Sequence, residues 1–287
     1  MSIRLANAKG RAALVRGAET VDVERASRGK FSADPMDAIR RWESFSDWAR
    51  GLAAGAAGEP LDEMKLAAPV PRPAKVFGIG MNYRAHALEA GLDIPKSPVV
   101  FTKFPNCLTG PRGDVVLTSE FVDWEVELVV VIGRGGRRIA EGRALEHVAG
   151  YSIGQDISDR RMQFADKPPQ FSLGKSADTF GPLGPTVVSL DAFTDANDLA
   201  LSCDVAGERM QEARTSDLIF SVAELVAFLS GYCTLEPGDL IFTGTPSGVG
   251  STRDPRRYLK AGEEIVSTIE GIGTLVNRTV ALAGDLG

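Results

Sequence analysis

The chain has 287 residues and a mass of 30.6 kDa, a length typical of one large domain or of one large domain with a small partner. Its composition, 44% hydrophobic and 24% charged, is that of an ordinary globular protein and excludes a disordered or collagen-like chain. The 32 basic and 38 acidic residues give a net charge of −6, and the basic residues are scattered, so we expect no nucleic-acid partner.

The cysteines and the apolar segments indicate the compartment. Cys107, Cys203 and Cys233 are odd in number and widely spaced, which fits neither a disulfide framework nor a zinc site. We interpret them as small core residues in a reducing compartment. The first residues lack a long apolar segment, and no stretch approaches 18 apolar residues. We therefore expect a cytoplasmic protein that does not associate with membranes.

The first part of the chain predicts a small β-plus-helix unit. Residues 3–24 alternate short apolar runs with glycines, which is typical of a hairpin, and residues 37–54 have apolar positions at helical spacing. Three prolines in residues 67–74 remove amide donors and favour an extended connector. We therefore predict a small N-terminal domain over residues 1–70 and a second domain over residues 71–287.

The second part is rich in strand patterns. Helical patterns are few. The main candidates are residues 84–90, 159–163 and 222–230, and Gly231 can end the last of these helices. This composition predicts an α+β, mostly β protein with a mixed β-sandwich or β-roll, not an alternating doubly wound sheet. The predicted strands are 76–79, 99–103, 124–132, 151–155, 184–189, 240–243 and 265–269.

Two carboxylates interrupt one of these strands. In the run DWEVELVVVIG (123–133), the two-residue period of a strand puts Glu125 and Glu127 on one face. One interpretation is an antiparallel strand whose glutamates face water. Residues 128–132, however, are all apolar, which indicates burial on both faces, and two buried carboxylates repel each other unless a cation lies between them. Mg²⁺ or Mn²⁺ would fit.

A hard divalent ion requires further oxygen ligands. Asp156, at the end of a predicted strand, is the candidate third carboxylate, although an Asp in this place is equally typical of a turn or helix cap. Lys175 lies among apolar and small residues. It could bind a substrate carboxylate or stabilise an enolate, or its ammonium group could simply reach water.

The sequence contains two histidines. His86 and Glu89 are neighbours if they lie on a helix, so Glu89 could hold the imidazole in the tautomer that a general base needs. A surface helix with one histidine is the alternative, and we interpret His147 as helix surface. The glycines of residues 244–250 could form an amide nest for an anion or a tight turn. Neither a dinucleotide fingerprint nor a Walker loop occurs.

Five segments, in this order over about residues 75–280, resemble the fumarylacetoacetate hydrolase family. They are GMNYRAH (80–86), DWEVE (123–127), Gln155 and Asp156 with Arg160 and Gln163, LGKS (173–176), and TGTPSGVG (243–250). The resemblance implies a mixed β-sandwich roll, a Mg²⁺ or Mn²⁺ site and a homodimer.

The resemblance also implies roles for individual residues. The metal ligands would be Glu125, Glu127 and Asp156; the catalytic residues would be His86 on a mobile lid, its partner Glu89, and Lys175; Arg160, Gln163 and Thr245 would contact substrate. In eukaryotic fumarylacetoacetate hydrolases an aspartate precedes the lid histidine by seven residues, and here that position is Ile79. This difference argues against the eukaryotic tyrosine-catabolic enzyme itself.

Family members act on β-dicarbonyl or 2-oxo acids, so the resemblance implies a small-molecule substrate of this class. Our first hypothesis is a metal-dependent hydrolase that cleaves a C–C bond in an acylpyruvate or 2,4-diketo acid through a metal-held enolate and releases pyruvate or a similar 2-oxo acid. The alternatives are an oxaloacetate-type decarboxylase, an isomerase of aromatic ring-cleavage products, and a non-catalytic relative. We expect residues 84–97 and 164–171 to shape the distal pocket, with Met81 as an apolar wall for a small acyl group.

Overall fold

A computed structural model describes residues 2–52 and 56–282 of the chain. Within these residues there are nineteen strands and seven α-helices, joined by short 3₁₀ segments. The strands are β1 Arg4–Ala8, β2 Arg11–Arg16, β3 Glu19–Asp22, β4 Glu59–Pro60, β5 Leu66–Ala67, β6 Val76–Gly80, β7 Val99–Thr102, β8 Leu108–Thr109, β9 Val115–Leu117, β10 Val122–Asp123, β11 Val126–Ile132, β12 Val148–Gln155, β13 Ser158–Asp159, β14 Gly181–Val188, β15 Ala200–Val205, β16 Glu208–Arg214, β17 Leu240–Phe242, β18 Glu264–Ile269 and β19 Gly273–Ala281. The helices are α1 Val23–Ala26, α2 Pro35–Arg40, α3 Trp42–Gly51, α4 Arg84–Glu89, α5 Arg160–Gln163, α6 Phe171–Gly174 and α7 Val222–Tyr232.

The strands form three open sheets. The largest has the order β4-β3-β2-β1-β14-β12-β11-β17-β6-β7, with β5 paired to β1 and β8 paired to β14. A second sheet has the order β16-β15-β18-β19-β9, and β10 pairs with β13. Most pairs are antiparallel, whereas β6 with β17, β8 with β14 and β9 with β19 are parallel. The predicted mixed, mostly β fold is therefore confirmed.

Strand β11 lies between two hydrophobic cores. Leu128 and Val130 pack into a core that includes residues of the second sheet and of α7. Val129 and Val131 point the other way, into a core shared with α2 and α3. Every residue of β11 is buried, so the apolar run is covered on both faces, as its composition predicted.

The N-terminal strands extend the large sheet. The predicted hairpin is present as β1 and β2, with β3 as a third antiparallel strand. Leu5 of β1 faces Val187 of β14, which joins residues 1–70 to the strands that follow. The domain boundary after residue 70 stays a prediction. The predicted helix 37–54 is divided into α2 and α3, because Arg41 leaves the helical region with φ −115° and ψ 33°; residues 53 and 54 lie outside the described residues.

Several local predictions were wrong in their bounds. Gly231 does not end α7, since the helix continues to Tyr232. The strand predicted from residue 124 begins at Val126. Strands β15, β16 and β19 were not predicted, although β15 and β16 meet at a turn whose residues Ala206 and Gly207 both have positive φ, a signal of a tight hairpin.

Two further observations concern the surface. His147 ends a 3₁₀ segment and is half-buried, with Nδ1 2.9 Å from the carbonyl oxygen of Arg134, so it lies at the surface only in part and not on an α-helix. No helix in residues 2–52 or 56–282 combines the length and the apolar character needed to cross a membrane.

Candidate metal centre and active site

Three buried carboxylates converge where β11 begins and β12 ends. Glu127 lies in β11 opposite Gly154 of β12, and Asp156 follows β12 directly. One oxygen from each of Glu125, Glu127 and Asp156 lies within 4.8 Å of the others. All three are buried, which excludes the alternative of glutamates facing water. The pairing of adjacent antiparallel strands is what brings residues about 30 positions apart into one cluster.

Two glutamine side chains shape the start of β11. Gln155 accepts a hydrogen bond of 2.9 Å from the amide of Glu125, and Gln211 accepts one of 3.0 Å from the amide of Val126. These bonds satisfy backbone groups that the sheet leaves unpaired at this point. Glu125 therefore lies outside the ladder, and its carboxylate is held near that of Glu127 by side-chain contacts.

Two buried lysines bind the carboxylates. The Nζ of Lys175 lies 2.8 Å from both Glu125 and Asp156 and donates to the hydroxyl of Ser158 at 2.7 Å. The Nζ of Lys103 lies 2.8 Å from the other oxygen of Asp156 and also donates to the carbonyls of Lys175 and Phe180. Asp156 is therefore not a turn or helix cap, and Lys175 does not reach water.

Arg160 links the carboxylate cluster to its surroundings. Its guanidinium donates to Glu125 at 2.6 Å, to Asp123 at 2.9 Å and to the side-chain oxygen of Gln163 at 2.8 Å. Helix α5, whose first turn is capped by Asp159, carries both Arg160 and Gln163. The two predicted substrate contacts are thus brought to the site and touch each other.

The two glutamates have opposite electrostatic surroundings. Burial by itself raises the pKa of Glu125, but the charges of Lys175 and Arg160 outweigh it and bring the pKa to about 2. Burial and the neighbouring carboxylates of Asp156 and Glu125 raise the pKa of Glu127 well above its ordinary value. Within the described residues Glu127 forms no ion pair, and its carboxylate accepts a 2.8 Å hydrogen bond from the amide of Gly244.

This donor set fits a hard divalent cation. Mg²⁺ and Mn²⁺ prefer carboxylate oxygens, and three carboxylates here share a small buried volume. Glu127 is the carboxylate of the three that no lysine or arginine contacts within the described residues. A cation at this position would relieve the repulsion that raises the pKa of Glu127.

The histidine–glutamate pair lies on α4. His86 Nδ1 is 3.4 Å from a carboxylate oxygen of Glu89, and His86 is nearly buried. Burial by itself raises the pKa of Glu89, but hydrogen bonds from His86, the Gly248 amide and Thr252 lower it below its ordinary value. A protonated His86 would lower the pKa of Glu125, because the two side chains lie near each other.

The glycine-rich loop binds the carboxylates of the chain itself. The amide of Gly244 donates to Glu127, that of Gly248 to Glu89 at 3.1 Å, and that of Gly250 to Asp123 at 2.7 Å. The amide nest that the sequence suggested therefore holds internal anions. Thr245 lies in this loop, but its hydroxyl already donates to the carbonyl of Val126 and accepts from Gln211, so a substrate contact through that hydroxyl stays a prediction.

The sequence did not predict four side-chain contacts that support the site. These contacts are made by Lys103, Asp123, Gln155 and Gln211. Lys103 had a signal, because a lysine between Thr102 and Phe104 at the end of an apolar strand has few ways to reach water. Gln155 stood in one of the five segments of the family resemblance, although its contact with Glu125 was not predicted. Gln211 had no such signal, since its contact with Val126 depends on where distant strands pack.

The fold and the site define a class: a mostly β protein with a buried acidic site suited to a divalent metal. Residues 75–280 match the family described as Fumarylacetoacetate (FAA) hydrolase C-terminal. Because this match covers more than half of the chain, the protein belongs to the fumarylacetoacetate hydrolase family.

Relatives of known name agree with this assignment. The chain is 43% identical to the mitochondrial oxaloacetate tautomerase FAHD2B of Bos taurus over 233 residues, which cover 80% of this chain and 74% of that protein. A crystal structure of a putative HpcE protein from Mycobacterium smegmatis has 48% identity and a TM-score of 0.92, covering 98% of this chain and 100% of that one. Maleylpyruvate hydrolase from Sphingobium sp. SYK-6, in complex with manganese(II) and pyruvate, has 29% identity and a TM-score of 0.83 over 98% and 100% of the two chains. The tautomerase and the hydrolase are enzymes by name, which supports an enzyme here as well.

Proposed function

We propose that this chain is a Mg²⁺- or Mn²⁺-dependent enzyme that acts on 2-oxo acids and hydrolyses a C–C bond in an acylpyruvate or other 2,4-diketo acid. The main observation in its support is the cluster of three carboxylates together with the His86–Glu89 pair. The glycine-rich loop of residues 244–250 donates hydrogen bonds to Glu127 of the cluster and to Glu89 of the pair. A manganese ion and pyruvate in the complex with maleylpyruvate hydrolase support it.

Glu125, Glu127 and Asp156 would hold the ion. When bound, the ion would supply a Lewis acid that polarises the 2-oxo group and stabilises negative charge on its oxygen. Lys175, 2.8 Å from two of these carboxylates, would add positive charge at the same end of the substrate. Arg160 and Gln163 would orient the substrate carboxylate, and Thr245 would contact substrate from the loop.

His86 would act as the general base and would take a proton from water. Glu89 occupies Nδ1, so Nε2 is the nitrogen left to take a proton from a water molecule. The hydroxide adds to the distal carbonyl carbon, the C–C bond breaks, and its electron pair remains on the departing 2-oxo acid. The proton then goes to that carbon, so one water is consumed and two carboxylic acids are formed.

A second candidate is tautomerisation of oxaloacetate, which the names of the tautomerases at 43% identity favour. The same histidine would move a proton between carbon and the enol oxygen, with no addition of water. Decarboxylation of oxaloacetate and isomerisation of a ring-cleavage product need no further residue types.

Parallel assays would separate these reactions. Acetylpyruvate cleavage and oxaloacetate tautomerisation and decarboxylation are measured with Mg²⁺, with Mn²⁺ and after chelation, for the unmodified protein and for His86→Ala. We expect metal-dependent acetylpyruvate cleavage that the substitution reduces by about 10²–10⁴-fold. Activity confined to oxaloacetate would favour the second candidate, and full activity of the His86 variant would contradict the proposed proton transfer.

Two further proposals concern the whole protein. We propose a homodimer, which size-exclusion chromatography with light scattering would test. We also propose a cytoplasmic location, although the bovine and human relatives carry the word mitochondrial in their names. Fractionation of the source cells would decide.

A further inference from the structure

A buried side-chain amide of the second sheet reaches the start of β11. Gln211 of β16 is 1% exposed, and its Oε1 accepts a 3.0 Å hydrogen bond from the amide of Val126, the residue between Glu125 and Glu127. The partners fix the orientation of the side chain, because the amide of Val126 can only donate and the carbonyl of Pro246, 2.9 Å from Nε2, can only accept. Gln211 therefore contacts the one residue that separates two candidate metal ligands.

Three hydrogen bonds form a closed ring through Val126. The amide of Val126 donates to Gln211 Oε1, Gln211 Nε2 donates to the hydroxyl of Thr245 at 2.8 Å, and that hydroxyl donates to the carbonyl of Val126 at 2.9 Å. Each of the three groups donates once and accepts once within the ring, so the bonds strengthen one another. The ring therefore holds both the amide and the carbonyl of the residue between the two glutamates.

A β-bulge directs Gln211 into this position. In the pairing of β15 with β16, Cys203 lies opposite Gln211 and Asp204 lies opposite Arg209, so Met210 is an extra residue of β16. Consecutive residues of a regular strand point to opposite faces, yet Met210 and Gln211 are both buried. A bulge re-aims side chains in this way, and bulges are common beside active sites. The irregularity lets a residue of the second sheet reach the carboxylate cluster.

Gln155 makes a similar contact one residue earlier in β11. Its Oε1 accepts from the amide of Glu125 at 2.9 Å, and its Nε2 donates to the hydroxyl of Ser267 in β18 at 2.8 Å. The start of β11 is therefore tied to the second sheet by two side-chain amides. Gln155 precedes Asp156 in the chain, so a change there would disturb a candidate ligand directly. Gln211 is distant in sequence from all three ligands and is the better probe.

We propose that Gln211 is a positioning residue that sets the spacing of Glu125 and Glu127, and that it thereby raises the affinity for Mg²⁺ relative to that for Ca²⁺. Mg²⁺ requires near-ideal octahedral geometry with oxygens at about 2.0–2.1 Å, whereas Ca²⁺ accepts about 2.3–2.6 Å and irregular arrangements. Glutamates that are held through the ring cannot spread toward the longer distances without breaking its hydrogen bonds. This inference rests on the proposed function, because it takes the carboxylates to bind a divalent ion.

The test compares the Kd values of Mg²⁺ and Ca²⁺, measured by calorimetry on the full chain without substrate. Gln211→Met keeps the length of the side chain and removes every hydrogen bond of its amide. We expect the Kd of Mg²⁺ to rise about tenfold, as is usual when a group that supports a metal ligand is lost, and the Kd of Ca²⁺ to rise less than about threefold. A variant that is merely unfolded in part binds fewer ions per chain but keeps the ratio of the two Kd values.

Thr245→Val breaks the same ring through the loss of one hydroxyl group, and it keeps the inference testable if Gln211→Met does not fold. We expect a smaller loss of Mg²⁺ affinity than in Gln211→Met, again with a shift of the Kd ratio toward Ca²⁺. Thermal melting of each variant checks that the fold is retained.

Asn277→Leu is the matched control. Asn277 is a fully buried amide of β19 in the same sheet, and its hydrogen bonds within the described residues go to the carbonyls of Gly110 and Gly113. The variant should be less stable but keep the Kd ratio of the unmodified protein. An unchanged ratio in the folded ring variants, or an equal shift in Asn277→Leu, overturns the inference while leaving the metal site intact. If the unmodified protein binds neither Mg²⁺ nor Mn²⁺, the proposed function fails and the inference with it.

Discussion

At the scale of single residues, the charges around the candidate site are incompletely balanced. Four buried carboxyl groups face three buried cations, and Glu127 is the carboxyl group that contacts no cation within the described residues. Those groups are Asp123, Glu125, Glu127 and Asp156 with Lys103, Lys175 and Arg160. When one of these charges is removed, the free energy of unfolding falls if the removed group is paired and does not fall if it is unpaired.

Lys103→Met is expected to destabilise the protein by about 3 kcal/mol, the lower end of the usual cost of breaking a buried ion pair, because Asp156 keeps Lys175 as a partner. The change removes the ammonium from Asp156 and from the carbonyl of Lys175, whereas the carbonyl of Phe180 keeps the amide of Ile157 as a donor. Urea denaturation measures the free energy of unfolding. Lys96→Met, at an exposed position, is the control and should change it by less than about 0.5 kcal/mol. Equal stability of the two variants would contradict this role of Lys103.

Glu125→Gln and Glu127→Gln are expected to have opposite effects on the metal-free protein. Glu125 is paired with Lys175 and Arg160, so neutralising it should cost about 3 kcal/mol. Glu127 is unpaired, and burial with its acidic neighbours already disfavours its charge by raising its pKa, so Glu127→Gln should leave stability equal or higher.

The pH dependence follows the same signs. The Glu125 pKa of about 2 lies below the ordinary 4.5, so its stabilising contribution is present above pH 4.5 and is lost as the pH falls toward 2. The raised pKa of Glu127 has the reverse effect, and stability falls as the pH rises through it. Denaturation at several pH values, with and without chelator, measures both. Both variants should bind Mn²⁺ more weakly by calorimetry, and unchanged affinity in either one would remove that residue from the metal site.

At the scale of elements, glycines decide how closely strands approach. A Cβ on Gly150 of β12 would lie 2.2 Å from the carbonyl oxygen of Val188 in β14, and backbone cannot move away as a side chain does. Gly231 differs, because a Cβ there meets nothing within 4 Å and the residue lies inside α7. One glycine is therefore required by packing, and the other only weakens a helix.

We predict that Gly150→Ala costs about 1–3 kcal/mol through strain in the sheet. Gly231→Ala is its matched partner and should gain about 0.5–1 kcal/mol, since alanine favours the helix and restricts the unfolded chain. Thermal or urea unfolding of the two variants measures the difference. If Gly231→Ala were destabilising, the helix would have to end before residue 231, as the sequence pattern first indicated.

At the scale of the whole molecule, the N-terminal strands share a core with the catalytic region. Leu5 and Leu14 pack in the same cluster as Leu183, Val187 and Phe242. Strand β1 also pairs with β14, so it satisfies backbone groups that would otherwise form an open edge. The second core is built without residues from this N-terminal segment.

We expect a chain of residues 71–287 to fold poorly by itself. It would expose the apolar face of β14 and leave the edge of that strand unpaired, both of which favour aggregation. Size-exclusion chromatography and near-UV circular dichroism, compared with the full chain, test this. A monomeric or dimeric fragment with cooperative unfolding would instead establish residues 71–287 as an independent domain.

The sequence by itself determined the strand-rich character, the burial of β11 on both faces and the candidate set Glu125, Glu127 and Asp156, because period and composition are local properties and the motifs could be matched to a family. It did not determine the environment of those residues. Only the tertiary structure decided that Lys103 shares Asp156 with Lys175 and that the loop amides bind internal carboxylates. These contacts join segments distant in the chain, and their energies depend on distance and burial, which a linear pattern does not encode.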